Sequence, residues 1–397
     1  MNRNNYDDWN FMGKSLTGTV PGETKTYNYR RNSVVLFTVF LVLIIYGLVC
    51  TYSTTYPQAI TEGKNHYYYL QNQLLYIVVG LGIGSVFYFI SEKAFETLSP
   101  LTVLVIFAFC AASELGMNAE SSLVSHMAML GITMYLTHYF GKRNNRFDRL
   151  REIALPLLFS TAFFGIITLQ KNVMLSLVYI ILVVYLFAVG GVGLGGVSLL
   201  ILFIAVPFVC SFLSNPAEIR ELLNFFIPGL FTGSDAAQSV LRYKSISSGG
   251  LMGKGSALGV YKYGVINGIS GPYILCSIFE EFGFAGFCLI AFLFIVIAIL
   301  GYGGSNSLKS VNYYYSNLCN GMTTLLVWHF IFNCAAVFEV LPFSFLSMPF
   351  FSYGPDVSLV IIEFFLLLKT FKKEKEKSEM PVYEKYDYSE DPVPYEK

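Results

Sequence analysis

Charge is scarce in this chain. Of its 397 residues, 13% carry a charged side chain, about half the share of an ordinary soluble domain, which excludes the solvated surface of a typical cytosolic protein. Neither sign is in excess: 26 Lys and Arg face 26 Asp and Glu. No global basicity points to nucleic acid, and no global acidity to a solvating chain. The seven cysteines, Cys50, Cys110, Cys210, Cys276, Cys288, Cys319 and Cys334, lie within or at the edge of apolar runs, without CxxC or Cys/His metal spacing. Neither a disulfide framework nor a metal site is indicated, and no cofactor is called for. There is also no internal repeat of the kind that builds solenoids or propellers.

Apolar residues are what the chain has instead. They make up 54% of it, the mean hydropathy is +0.56, and they come in long runs broken by short polar connections. A helix needs about 20 mostly apolar residues to cross a bilayer. Ten stretches approach that standard: 34–52, 70–90, 99–116, 123–140, 153–169, 173–189, 197–213, 273–300, 322–338 and 357–368. The expected fold is all-α, a polytopic membrane protein of about ten transmembrane helices. Arg30 and Arg31 precede the first run, and Lys142, Arg143, Arg146, Arg149 and Arg151 crowd one connection. The positive-inside rule then puts both termini in the cytoplasm. Seven of the 26 Lys and Arg are left outside: Lys64, Lys171, Arg220, Arg242, Lys244, Lys254 and Lys262. The chain divides into a cytoplasmic tail, 1–33, a membrane domain, 34–370, and a Lys/Glu-rich tail, 371–397, expected to be disordered. Residues 1–33 are too polar for a cleavable signal, so the first run is expected to act as an uncleaved anchor.

The long extracytoplasmic loop, 215–271, is the informative segment. Its start, 216–226, carries Ile219, Leu222, Leu223 and Phe226 at helical spacing, which predicts an interfacial helix. Five of the seven outer cations face Glu218, Glu221 and Asp235 here, a net +2 that suits an anionic lipid headgroup. The run from Ser247 to Gly255 has glycines that let backbone N–H groups approach a ligand, and Lys254 to meet phosphate. It is not a P-loop, because Ser248 and Gly255 stand where Gly and Ser/Thr are required. Tight turns and a phosphate approach both remain open for it. Further on, Glu280 and Glu281 lie within an apolar run, at a depth of about 12 Å if the helix rises about 1.5 Å per residue. Adjacent side chains point about 100° apart, so the two are expected to act separately, one toward a neighbouring helix and one toward a polar cavity. Glu114, His126, His329, Glu339 and Glu363 are expected as interhelical contacts. Gly80, Gly82, Gly84 and the glycines of 190–196 are expected to permit close helix packing or a tight turn.

Three motifs in order, Ser248-Gly249-Gly250-Leu251-Met252-Gly253-Lys254-Gly255, Glu280-Glu281-Phe282-Gly283-Phe284 and Pro349-Phe350-Phe351-Ser352-Tyr353-Gly354, resemble the signatures of the SEDS family (FtsW, RodA, SpoVE). Tyr52-Ser53 and Leu169-Gln170 also fall where that family has related residues, and the resemblance covers about residues 34–370. It implies a protein of the bacterial cytoplasmic membrane that polymerises lipid II on the outer face together with a single-pass transpeptidase similar to a class B penicillin-binding protein. The acceptor's C4 hydroxyl would attack the donor's anomeric carbon and expel a polyprenyl diphosphate. By the same resemblance, Gln238, Ser239, Gly249, Gly250, Gly253, Lys254, Gly255, Ser352 and Tyr353 would form the substrate-binding surface.

The chain departs from the family at its charged positions. The proposed catalytic aspartate, eight residues before the Glu pair, is Pro272, which has no proton-accepting side chain. The Gln-Pro-Asp turn reads Gln170-Lys171-Asn172, the polar stretch before the fourth crossing shortens to Gly116-Met117-Asn118-Ala119, that helix's Ser-Glu…Lys reads Ser125-His126…Met129, and Ser352-Tyr353-Gly354 is followed by Pro355. The favoured expectation is a paralogue that binds lipid II or a partner with lost or reduced polymerase activity. The alternative is an active, divergent glycosyltransferase in which Asp235, Glu339 or Asp356 replaces the base. A lipid-linked precursor transporter is disfavoured, because apart from three histidines, His126, His138 and His329, no Lys or Arg lies inside the expected spans.

Overall fold

In hydrocarbon a backbone polar group has no water to bond, so long apolar runs fold as helices that satisfy their own main chain. The computed structural model describes residues 29–113, 121–143, 147, 150–169, 173–227, 234–341 and 347–379, and no strand occurs among them. The described helices are α1 (Tyr29–Thr61), α2 (Tyr68–Phe89), α3 (Glu92–Ala112), α4 (Ser121–Lys142), α5 (Ala154–Leu169), α6 (Val173–Val189), α7 (Leu194–Leu213), α8 (Pro216–Phe226), α9 (Ser234–Ser248), α10 (Ile274–Leu308), α11 (Tyr313–Val337) and α12 (Asp356–Glu379).

Six of these helices, α1, α2, α3, α5, α7 and α10, are long and apolar enough to cross a membrane. Each of the ten apolar stretches falls on a helix of its own, with α8 and α9 in the loop between α7 and α10. Several helices outrun the apolar stretch that announced them. The end of α1 and the start of α11 are rich in Tyr, Ser, Thr and Asn, and the helices continue through them beyond the most apolar segment. The helix α12 runs to Glu379, so nine residues assigned above to the disordered tail are helical; Lys and Glu are good helix formers and extend a helix already nucleated. Residues 1–28, Glu114, the 116–119 stretch, Arg146, Arg149, the 170–172 step and 380–397 lie outside the described residues.

At the centre stands α11, buried on nearly every side and packed against α4, α6, α10 and α12. Its polar residues Asn317, Asn320, Thr323, Thr324 and His329 are all buried, whereas α7 turns Ile201, Leu202, Phe203, Val206 and Val209 outward. Aromatic stacks fill the interior, with Phe294 on Phe330 at 4.3 Å and Phe40 on Phe364 at 4.6 Å between centroids. Polar groups inside and apolar groups outside are what a lipid solvent selects.

Candidate functional site

The site begins with a broken helix. At Gly283 the backbone of α10 leaves the helical region, with φ 67° and ψ −165°. In an unbroken helix the N–H groups of Phe284 and Ala285 would bond the carbonyls of Glu280 and Glu281. Here the glycine-rich loop is inserted between those partners. Phe284 N–H donates to Gly250 O and Ala285 N–H to Leu251 O, both at 3.0 Å, while Lys254 N–H and Gly255 N–H donate to Glu280 O and Glu281 O, both at 2.9 Å. So close a docking leaves no room for side chains: a Cβ on Gly253 would stand 2.2 Å from Glu281 O, and one on Gly249 1.8 Å from Phe279 O. Of the two readings open for this run, the glycines serve backbone contact with α10. The N–H groups of Gly253, Lys254 and Gly255 are taken by protein carbonyls.

The two carboxylates complete the dock. Glu280 accepts from Lys254 Nζ at 2.8 Å, Val260 N–H at 2.8 Å and Tyr261 N–H at 3.2 Å. Glu281 accepts from Lys262 Nζ at 2.7 Å, Ser53 Oγ at 2.6 Å and Ala257 N–H at 3.1 Å. Glu281 does reach a neighbouring helix, as expected of one of the pair, at Ser53 of α1; the expected separate cavity for the other is corrected, because both acids grip the same loop. The 100° between adjacent side chains lets one take its near flank and the other its far flank. Lys262, whose side chain is 1% exposed, is a site residue that sequence reasoning counted only as outer charge. Its spacing after Lys254, two cations facing two adjacent acids, was the available signal.

Position 272 lies just before α10. The Pro272 carbonyl accepts from Asn333 Nδ2 at 2.9 Å, and Ser270 O and Gly271 O accept from Tyr353 N–H at 2.8 Å and Ser352 Oγ at 2.9 Å. Ser352 and Tyr353 therefore brace the backbone around 272, and Gln73 braces them in turn, donating to Ser352 O and accepting from Gly354 N–H, both at 3.2 Å. Gln238 holds the far side of the loop through Val265 O at 3.2 Å and Asn267 N–H at 3.0 Å. Ser239 accepts from Arg242 Nη2 at 2.7 Å. Arg242 also reaches Glu339 at 3.2 Å and lies 4.4 Å over the ring of Tyr273. Of the replacement acids, Glu339 is thus paired with Arg242, and Asp356 accepts from Ser122 and from Ser347, the latter at 3.0 Å. Asp235 falls in the first turn of α9, and its side chain lies outside the described residues. Deeper in the bundle His126 bonds Glu363 at 2.8 Å and meets the ring of His329 edge-on. Beside the site, in the α1–α2 turn, hydrogen bonds from Lys64, Tyr69 and Gln58 hold the Glu62 carboxyl down at about 2. No three His, Cys, Asp or Glu side chains among the described residues are grouped to hold a metal ion.

The FtsW/RodA/SpoVE family, described as "cell cycle protein", matches residues 33–377. The "probable peptidoglycan glycosyltransferase FtsW" of Bacillus subtilis strain 168 is 22% identical over 366 residues, which cover 85% of this chain and 88% of that protein. Stage V sporulation protein E of the same strain is 23% identical over 340 residues, covering 81% and 91%. Among solved structures, a chain of a peptidoglycan synthase complex that coordinates polymerization and crosslinking superposes with a TM-score of 0.64 at 17% identity, covering 85% of this chain and 97% of its own. The rod shape determining protein RodA of Thermus thermophilus gives 0.57 at 15% identity, covering 85% and 96%. With one family spanning α1 to α12 and its fold shared by these solved chains, this chain belongs to the SEDS, or FtsW/RodA/SpoVE, family of multi-pass proteins of the bacterial cytoplasmic membrane.

Proposed function

We propose that this chain serves bacterial peptidoglycan synthesis as a protein that binds lipid II or a partner, and that its own capacity to polymerise lipid II is lost or much reduced. The observation that carries this reading is Pro272. The residue at the family's catalytic position has no group to accept the C4 hydroxyl proton, and its carbonyl is held by Asn333. A positioned general base contributes about 10²–10⁴-fold, and the candidate replacements Glu339 and Asp356 already have partners. The rest of the platform supports retained binding: the dock between the glycine loop and α10 is intact, and the loop carries a net +2 over 215–271. Lys254 can still reach a phosphate with the exposed third of its side chain, 34%. The partner is a single-pass transpeptidase of the class B penicillin-binding protein kind. A second reading, a divergent polymerase, is favoured by one observation: Asp356 Oδ1 is buried without a hydrogen-bond partner.

The test is incubation of the purified chain with lipid II, with and without a co-expressed transpeptidase. Native mass spectrometry should find lipid II bound, and a glycan gel should show no polymer. A polymer ladder overturns the loss of activity, and a chain that retains no lipid II overturns the lipid II-binding role and leaves the partner-binding one.

A further inference from the structure

Arg242 places its charge against the residue that follows position 272. It lies on α9, one turn after Gln238, with its guanidinium 4.4 Å above the ring of Tyr273, the residue that follows Pro272. The hydrogen bonds to Ser239 Oγ and Glu339 Oε1 both leave from Nη2. Nε is buried without a partner. A guanidinium carries five N–H donors in a rigid planar fork, and a buried donor left unpaired is costly, so the fork is incompletely used as it stands. The two members of its ion pair are unequally held. The Arg242 side chain is 13% exposed and pinned by Tyr273 and Ser239, whereas that of Glu339 is 44% exposed and free to turn into water. Lys254 and Lys262, by contrast, are bonded at 2.8 Å and 2.7 Å to carboxylates with almost no exposure.

We infer that Arg242 is a diphosphate-binding residue of this face, and that Glu339 is its resting counter-ion, displaced when the diphosphate arrives. The inference rests on the reading above that the loop receives a lipid-linked precursor, and it names the group that is recognised. A diphosphate ester presents several charged oxygens to a planar fork, which permits two parallel charge-assisted bonds. The Tyr273 ring beneath fixes the plane of the fork, a placement the point charge of a lysine does not reproduce. Glu339 Oε1 holds the place of one such oxygen.

The test uses the full-length protein in nanodiscs, titrated with undecaprenyl diphosphate and, separately, lipid II, with inorganic pyrophosphate as competitor. Arg242→Ala should weaken binding of undecaprenyl diphosphate by about tenfold or more, the scale of a charge-assisted contact. Arg242→Lys should restore only part of the loss. Glu339→Gln should tighten binding, an effect that a merely structural ion pair would not produce. Pyrophosphate that competes in an Arg242-dependent way makes the free anion sufficient; pyrophosphate that fails while the lipid binds through Arg242 makes the membrane-borne headgroup the ligand. Both results support the assignment. If wild type binds lipid II and Arg242→Ala binds it equally well, the inference falls while the function proposed above stands. A wild type that binds neither lipid overturns both the inference and the lipid II-binding role. Should Arg242→Ala unfold early in a thermal scan, Glu339→Gln decides, and unchanged affinity there overturns the inference.

Discussion

Lys262 and Lys64 are both outer cations in the sequence, yet they carry different weight. The Lys262 ammonium lies between Ser53 and Glu281 with almost no exposure, so removing it leaves a carboxylate buried and uncompensated. Breaking such a pair costs about 3–5 kcal/mol, and Lys262→Met should lower the thermal unfolding temperature in detergent by many degrees. Lys64 meets Glu62 at the surface, with 40% of its side chain exposed, and Lys64→Met should leave that temperature unchanged within error. Equal shifts for the two variants would contradict the assignment of Lys262. The Glu62 turn also has a pH signature. Its carboxyl is depressed to about 2 from an ordinary value of 4.5, so the tie to Lys64 is present above that ordinary value and is lost as the pH falls from 4.5 toward 2. Burial is what separates the two lysines, and in the sequence only the spacing of Lys254 and Lys262 against Glu280 and Glu281 hints at it.

The loop inserted into α10 is the element that organises the face. Its composition was legible: the glycines of 249–255 announced close backbone approach. What they approach was not, because the break at Gly283 lies inside an apolar run that reads as one continuous helix. The partners that replace the missing helical bonds are some thirty residues upstream in the chain. Gly253→Ala forces a Cβ to within 2.2 Å of a carbonyl oxygen that belongs to the helix itself, and neither side can yield without opening the dock. Hydrogen exchange should then show the amides of Lys254, Gly255, Phe284 and Ala285 losing protection together, while amides in the middle of α11 keep theirs. Unchanged protection at those four amides would contradict the dock. Glu280 and Glu281 show the same limit of the sequence: their depth marked them as functional or paired, but the loop that pairs them became visible only once folded.

Across the whole molecule, the number and order of apolar stretches was readable, because lipid-facing residues must be apolar whatever they pack against. The polar centre was not. In α11 the buried surface carries Asn, Thr and His, so hydropathy underrates the helix at the centre of the bundle. Orientation rests on charge placement alone and can be checked directly. In a background with the exposed Cys210 and Cys288 replaced, an impermeant maleimide added to intact cells should label Tyr243→Cys. Ser310→Cys, at the other end of α10, should be labelled only after permeabilisation. The reverse pattern would invert the assignment of the 215–271 loop to the outer face.

The proposed function couples a glycine-loop platform to the loss of a base at position 272, and gel-resolved polymerisation of fluorescent lipid II by the purified chain is its sharpest test. Run beside Asp356→Asn and Glu339→Gln, the wild type should give no glycan ladder, nor should either variant. A ladder from the wild type that disappears in one of them would overturn the proposed loss of activity and name the carboxylate that has taken over from position 272.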